Sequence, residues 1–259
     1  MAFIECKFHS ESLKLATSMN VILPQQTSSQ IGMKGKSSKG KFPVLYLLHG
    51  MSDDQTIWGR RTSIERYAAP LGLAVVMPCA GRSFYTDMAS GSKYWTFISE
   101  ELPAIARSFF PLSEKREDNF VAGLSMGGYG AFKLAFRKPE NFSFAASLSG
   151  ALDIPEFFKA SPPIKDELTG IFGPEKKVPG SDNDFFHLAE KLFKSKKQAP
   201  ALFMSCGTED YLCGSNQKFK KHLEGLKADF IYDEAPGNHE WGYWDLKIQR
   251  VLSILPLKK

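Results

Sequence analysis

The segment Gly123-Leu124-Ser125-Met126-Gly127 constrains the fold of this chain more than any other part of the sequence. It matches the pattern G-x-S-x-G, with a short apolar run before it and a run rich in alanine and glycine after it. In a strand–turn–helix context of this kind, the serine occupies a tight turn that directs its hydroxyl away from the sheet. A side chain at either glycine would collide with a neighbouring strand or helix. We therefore predict that Ser125 is a nucleophile rather than part of an ordinary glycine-rich turn.

Short apolar runs alternate with longer stretches of helical periodicity over most of the chain. The runs predicted as strands are residues 43–48, 73–77, 119–122, 144–148, 201–205 and 230–232. The stretches predicted as helices are residues 63–71, 94–110, 127–137, 184–193, 217–227 and 241–255. Fully apolar strands are typical of parallel sheets covered by helices on both faces. Ligands in such sheets bind at the carboxyl ends of the strands.

Three other segments depart from this alternation. Residues 3–8 and 13–23 alternate between apolar and polar side chains, which predicts half-buried antiparallel strands at the amino end. Residues 25–41 contain mostly Gln, Ser, Gly and Lys and are predicted as a loop. Residues 150–183 are rich in Pro, Gly and Lys, and we interpret them as an insertion over the top of the sheet and a candidate cap.

A serine nucleophile needs a base, and in this type of fold the base follows it in the chain. Three histidines follow Ser125. His187 and His222 lie within helical patterns, whereas His239 lies in a turn-rich loop directly after the last predicted strand. Because the base must lie at the carboxyl end of a strand, we predict that it is His239.

The acid that orients the base is expected in the loop after the preceding strand, residues 206–211. Glu209 and Asp210 both qualify by position, and we choose Asp210. Asp153, at the end of the strand before that, is a further alternative.

Backbone N–H groups are expected to bind the negative charge that develops on the substrate. One donor is the residue after the nucleophile, Met126, and the other is Met51, in the loop after the first core strand. His49 precedes Met51 and is predicted to shape this loop. Trp58 and Trp241 lie close in sequence to predicted active-site loops and are our candidates for the walls of a substrate pocket, with core packing as the alternative for each.

Composition and charge exclude several classes of protein. The net charge is +5, but the lysines fall in loops and at the tail, and no arginine-rich run or zinc-finger spacing is present, so we expect no nucleic-acid partner. The longest mostly apolar stretch, residues 71–80, is too short to cross a bilayer, and the opening residues do not resemble a secretory signal. The scattered cysteines and histidines have no spacing typical of a disulfide framework or a metal site. We therefore expect a cytoplasmic protein with no membrane partner, no cofactor and no metal.

Four segments together resemble the esterase D family of α/β-hydrolases and are most similar to its bacterial tributyrin esterases. They are LLHGMSDDQTIW, GLSMGGYGA, SCGTEDYL and GNHEW, and the resemblance covers nearly the whole chain. It implies an α/β-hydrolase fold, triad roles for Ser125, Asp210 and His239, and oxyanion-binding amides at Met51 and Met126. It also implies a preference for short acyl chains.

We therefore predict a single α/β-hydrolase domain over residues 1–259, with a mostly parallel sheet and an antiparallel amino-terminal portion. The predicted activity is that of a serine carboxylesterase that hydrolyses short-chain acyl esters, from acetyl to butyryl, through an acyl-enzyme. Small triglycerides and acetylated sugars are the candidate substrates. The alternatives are a thioesterase similar to S-formylglutathione hydrolase, an acyltransferase with the same triad, and a binding protein that reuses the fold. The edge strands at the amino end are a candidate surface for a homo-oligomer.

Overall fold

The computed structural model describes residues 1–32, 35–36 and 40–258, so that residues 33–34 and 37–39 of the predicted loop lie outside the described part. Eight strands form one sheet within these ranges. They are β1 (Ala2–Ser10), β2 (Leu15–Leu23), β3 (Val44–Leu48), β4 (Ala74–Pro78), β5 (Asn119–Leu124), β6 (Phe144–Leu148), β7 (Ala201–Gly207) and β8 (Phe230–Ala235). The α-helices are α1 (Ile57–Arg61), α2 (Ile64–Ala68), α3 (Tyr94–Thr96), α4 (Leu102–Phe109), α5 (Met126–Arg137), α6 (Ile154–Ala160), α7 (Lys165–Phe172), α8 (Phe185–Phe193), α9 (Cys213–Gly225) and α10 (Trp241–Ile254).

The strands are arranged in the order β1-β2-β4-β3-β5-β6-β7-β8. Strands β3 to β8 pair in parallel, whereas β2 is antiparallel to both β1 and β4. This confirms the predicted α/β-hydrolase architecture with an antiparallel amino-terminal portion. Every predicted strand is present, with boundaries that differ by a few residues at most.

The central strands are buried on both faces. All five residues of β3 are buried, and its alternate side chains enter different layers of the core. Tyr46 and Leu48 pack in one layer, and Leu45 and Leu47 pack in the other. Two apolar layers explain why the sequence of this strand is continuously apolar rather than alternating.

The helix predicted over residues 94–110 is interrupted. It consists of α3, a π-helical turn over Phe97–Glu101, and α4, with Pro103 in the first turn of α4. Proline has no N–H to donate to the preceding turn, which disfavours a continuous α-helix through this point.

The segment over residues 150–183 is largely helical and packs against the loop that follows β4. The N–H of Ser90 donates to the carbonyl of Gly170 in α7, 2.8 Å away, and the rings of Phe84 and Phe172 lie 5.2 Å apart. These contacts fasten the segment to the same side of the sheet as the carboxyl ends of the strands. No helix in the described part of the chain is both long and apolar enough to cross a lipid bilayer.

Helix α5 is anchored by a buried lysine. The ammonium of Lys133 donates to Thr86 Oγ1, 2.6 Å away, and to Asn183 Oδ1, 2.7 Å away. Burial, together with the nearby charge of Arg137, holds the pKa of Lys133 well below its usual value. The lysine thus joins α5, which begins directly after Ser125, to the loop after β4 and to the segment before α8.

Candidate active site

Ser125 lies at a sharp turn between β5 and α5. Its backbone has φ 52° and ψ −117°, a conformation that is costly for a residue other than glycine. The turn brings backbone segments very close together at the two glycines of the motif. A Cβ atom at Gly123 would lie 2.3 Å from the carbonyl oxygen of Gly127, and one at Gly127 would lie 2.4 Å from that of Leu48. The two glycines of the motif are therefore required by space, as the sequence predicts.

His239 lies in the loop between β8 and α10, and its ring reaches Ser125. The distance between His239 Nε2 and Ser125 Oγ is 3.1 Å. The ring is packed between two aromatic side chains, with ring centroids 4.7 Å from Tyr211 and 4.8 Å from Trp244. This packing limits the orientations that the imidazole can adopt.

Asp210 lies in the loop after β7 and contacts the other nitrogen of the same ring. Its two carboxylate oxygens are 2.9 Å and 3.1 Å from His239 Nδ1, and the N–H of Leu212 donates to the carboxylate over 2.8 Å. Burial raises the pKa of Asp210, but the hydrogen bond and charge of His239, the Leu212 N–H and the Ser149 hydroxyl outweigh it. The pKa therefore lies below the usual value for a carboxyl group.

Ser149 also supports Asp210, and the sequence analysis missed this residue. The indole N–H of Trp244 donates to Ser149 Oγ, 3.0 Å away, and the Ser149 hydroxyl in turn stabilises the charged form of Asp210. Ser149 directly follows β6 and has a positive φ of 48°. Its position at the carboxyl end of a central strand is the signal by which it could have been found.

Glu209, the alternative acid, performs a different task. Its carboxylate accepts a hydrogen bond from the N–H of Gly237, 2.6 Å away, and its own N–H donates to the carbonyl of Gly237. Glu209 therefore holds the loop that carries His239 and makes no hydrogen bond to the imidazole. Asp153, the other alternative, accepts a hydrogen bond from the N–H of Glu156 in α6 and pairs with the ammonium of Lys218 at 2.5 Å.

The loop between β3 and α1 forms the opposite wall of the site and is held by two side chains. Trp58 donates its indole N–H to the carbonyl of Leu48 over 3.1 Å, and the Tyr85 hydroxyl donates to the carbonyl of His49 over 2.9 Å. Gly50 has an ordinary backbone φ, but a Cβ atom there would lie 2.8 Å from a methyl group of Leu124. Glycine before Met51 therefore avoids crowding against this side chain and does not supply an unusual dihedral angle.

A cleft of about 550 Å³ opens above Ser125. Met51 and Trp241 contribute to its walls, together with Tyr211 and Trp244. Met126 is fully buried at the start of α5, where the N–H of the first helical residue has no acceptor within the helix.

The prediction that Trp58 forms a wall of the pocket is wrong. Its side chain is only 1% exposed and lies behind Trp241, with the two rings edge to face and their centroids 5.2 Å apart. The short helix α1 turns Trp58 toward the core, where it supports Trp241 instead of contacting a ligand.

Charged groups also border the cleft. Arg82 lies at its rim, with Nε and Nη2 at 2.5 Å and 2.8 Å from the two carboxylate oxygens of Glu167 in α7. Asp53 also lines the cleft, and burial raises the pKa of its carboxyl group, although the N–H of Gly50 opposes this effect. Within the ranges that the structure describes, no group of three or more His, Cys, Asp or Glu side chains is arranged to hold a metal ion.

The arrangement has a defined chemical capacity. A serine hydroxyl bonded to an imidazole can lose its proton to that ring as the oxygen attacks a carbonyl carbon. A buried carboxylate on the other ring nitrogen fixes the tautomer and stabilises the imidazolium that forms. The loops that carry these groups follow β3, β5, β7 and β8, which run in the same direction and therefore place their carboxyl ends at one edge of the sheet.

Known proteins are similar to this chain over nearly its whole length. An acetyl esterase from Caldicellulosiruptor saccharolyticus is 32% identical over 252 residues, which cover 95% of this chain and 94% of the esterase. FphF, a fluorophosphonate-binding serine hydrolase of Staphylococcus aureus, has a TM-score of 0.87 and 34% identity, with 99% of each chain covered. FrmB, an S-formylglutathione hydrolase of the same organism, has a TM-score of 0.86 and 34% identity, with 98% of each chain covered.

The model of the Esterase family matches residues 10–253. The match therefore includes seven of the eight strands in full and every loop that borders the cleft. On this evidence the chain belongs to the Esterase family of α/β-hydrolases and is a carboxylic ester hydrolase.

Proposed function

We propose that the chain is a serine esterase for short acyl chains, in which Ser125, His239 and Asp210 form the catalytic triad. The observation that carries this proposal is the continuous series of hydrogen bonds from Ser125 Oγ through the imidazole to the buried carboxylate, at the floor of an open cleft. Ser125 attacks the ester carbonyl, and His239 accepts its proton and then returns it to the departing alcohol. Water, activated by His239, releases the acid from the acyl-enzyme.

The backbone N–H groups of Met51 and Met126 are the proposed oxyanion donors. Met126 is the first residue of α5, so its free N–H is aligned with the positive end of the helix dipole. Met51 follows the closely packed Gly50, in a loop whose carbonyls are bound by Trp58 and Tyr85. A rigid donor of this kind contributes about 3–4 kcal/mol to the stability of the transition state.

The preference for acetyl to butyryl groups is supported by the walls of the cleft and by similarity to an acetyl esterase. Trp241 and Trp244 lie edge to face, 5.3 Å apart, and Trp58 packs behind Trp241. Three interlocked indoles leave little freedom for this wall to move aside for a long acyl chain. Acetylated sugars and small triglycerides are the proposed natural esters.

A second candidate is the hydrolysis of S-formylglutathione, because FrmB shares 34% identity and the same fold over 98% of both chains. The triad needs no change for this reaction, since a thiolate leaves in place of an alkoxide. The formyl group is also smaller than an acetyl group and fits the same cleft.

One experiment separates these functions. We would measure kcat/KM for p-nitrophenyl esters from acetate to dodecanoate, for tributyrin and for S-formylglutathione, with Ser125→Ala as the control. The proposal predicts a maximum between acetate and butyrate that disappears in the control. A value for S-formylglutathione far above that of every ester would favour the second candidate. A maximum at dodecanoate would contradict both.

A further inference from the structure

The outer edge of β1 is a long strand edge at one end of the sheet. Strand β1 has nine residues and pairs along its whole length with β2. Within residues 1–32, 35–36 and 40–258, no strand pairs with its other edge. The N–H and C=O groups along such an edge are able to pair with another strand.

The side chains of β1 alternate between two environments. Ile4, Cys6 and Phe8 point toward the core, where they pack against buried residues but remain partly exposed. Glu5 and Lys7 point to the opposite face and are exposed. A strand added at this edge would therefore need apolar side chains on one face and complementary charges on the other.

A second copy of β1 meets both requirements when it runs antiparallel and Cys6 lies on the two-fold axis. In this register all nine residues are paired, and Glu5 lies opposite Lys7 of the second copy on both sides of the axis. Ile4 then lies opposite Phe8 of the second copy on the core face. Directly opposed side chains of this kind are close enough to form ion pairs and apolar contacts.

Other antiparallel registers are disfavoured by the same residues. A shift of the pairing by one residue places the apolar face of one copy beside the charged face of the other. A shift by two residues places either Glu5 against Glu5 or Lys7 against Lys7 on the axis, and opposed like charges are destabilising. The pattern of β1 thus favours one register with itself.

The other end of the sheet does not have this property. Strand β8 carries Asp233 and Glu234 and no basic residue. In an antiparallel pairing of β8 with a second β8, the strand therefore offers no basic side chain to oppose its carboxylates. Charged side chains are a common means of protecting an exposed edge from association.

We propose that two copies of the chain associate through antiparallel pairing of their β1 strands, so that the two sheets become one continuous sheet. Strands β2 and β4 separate β1 from β3, and the cleft above Ser125 lies beyond them. Each copy therefore keeps its cleft open, and association does not require a change in the active site.

The test is the mass of the full-length protein in solution, measured by sedimentation velocity over a range of concentrations. Wild type is expected to be a dimer that dissociates on dilution. Glu5→Lys and Lys7→Glu each place two like-charged pairs across the axis and should raise the dissociation constant about tenfold or more. The double variant Glu5→Lys/Lys7→Glu, and an equimolar mixture of the two single variants, restore opposite charges and should again form dimers.

Lys176→Glu is the matched control, because Lys176 is exposed in the segment between α7 and α8, and its change alters the net charge as much as Lys7→Glu does. Esterase activity and far-UV circular dichroism check that each variant is folded. A wild type that stays monomeric at its highest soluble concentration would overturn the proposal. Dimers that persist in both single variants, or a double variant that fails to dimerise, would also overturn it.

Discussion

The imidazole of His49 accepts a hydrogen bond from the backbone N–H of Ala80, with 2.9 Å between Nε2 and the amide nitrogen. Because an amide N–H can only donate, the proton of the neutral ring lies on Nδ1, which is 2.7 Å from the carbonyl oxygen of Gly50. The residue is 1% exposed, and burial lowers the pKa of the imidazole. His49 thus joins the loop that contains Met51 to the loop that follows β4.

Replacement of His49 by alanine should therefore impair both stability and catalysis. The change leaves the buried Ala80 N–H without its acceptor, at a cost of about 1–3 kcal/mol, and leaves the Gly50 carbonyl with the N–H of Asp53 as its remaining donor. It also loosens the backbone at Met51, and we expect kcat for p-nitrophenyl acetate to fall about ten- to a hundredfold. Urea unfolding and steady-state kinetics measure the two effects, with the exposed His187→Ala as control. An unchanged kcat would show that the His49 side chain does not hold the N–H of Met51 in place.

The lowered pKa of His49 should also make the free energy of unfolding depend on pH. The folded protein keeps the imidazole neutral, whereas the unfolded chain takes up a proton near pH 6.5. The contribution of His49 to the free energy of unfolding is therefore complete above pH 6.5 and is lost as the pH falls through the lower pKa of the folded state. Wild type should lose stability on acidification below pH 6.5 more steeply than His49→Ala, in urea titrations at a series of pH values. Parallel pH profiles for the two proteins would refute this.

Asp210→Asn should reduce kcat about 10³- to 10⁴-fold, because an amide cannot hold the required tautomer of His239 or stabilise its protonated form. Glu209→Gln is the matched control. A glutamine retains an oxygen that accepts from the N–H of Gly237, so we expect kcat to fall less than about tenfold. A larger loss in Glu209→Gln than in Asp210→Asn would reverse the assignment of the acid.

Two substitutions of Ser125 should separate catalysis from stability. Both Ser125→Ala and Ser125→Gly remove the hydroxyl and should lower kcat about 10⁴- to 10⁶-fold. Glycine adopts the positive φ of 52° without the steric cost that alanine retains. Ser125→Gly should therefore be more stable than Ser125→Ala by about 1 kcal/mol in equilibrium unfolding. Equal stabilities would mean that the turn stores no strain.

Two glycine-to-alanine changes should have effects of opposite sign. At Gly127 the added methyl group would lie 2.4 Å from the carbonyl oxygen of Leu48, so we expect a loss of at least about 3 kcal/mol or no soluble protein. At Gly170, within α7, nothing lies within 4 Å of the added methyl group, and alanine should stabilise the helix by about 0.5–1 kcal/mol. Thermal unfolding of both variants is the measurement. Similar melting temperatures for the two would contradict the packing argument.

The fold and the central residues of the site were predictable because they depend on local patterns. Continuous apolar runs predict β3 and β5. Ser125 and His239 each lie among turn residues of their own segment, and these neighbours indicate their positions at the ends of strands. The positions of Trp58 and Ser149 depend instead on which distant strand or helix packs beside them. Trp58 is buried because α1 turns it beneath Trp241, and no periodicity in its own segment indicates this.

The buried ammonium of Lys133 limits how the enzyme could be rebuilt. Its two acceptors, Thr86 and Asn183, belong to segments far apart in the chain. A graft of residues 150–182 from another hydrolase would keep Asn183 and this contact, whereas a graft that also replaces Asn183 by a residue without an acceptor would leave Lys133 with one of its two acceptors. Helix α5 and the segment before α8 must therefore be exchanged together. A chimaera must either take Thr86, Lys133 and Asn183 from the same parent or replace Lys133 by an apolar side chain.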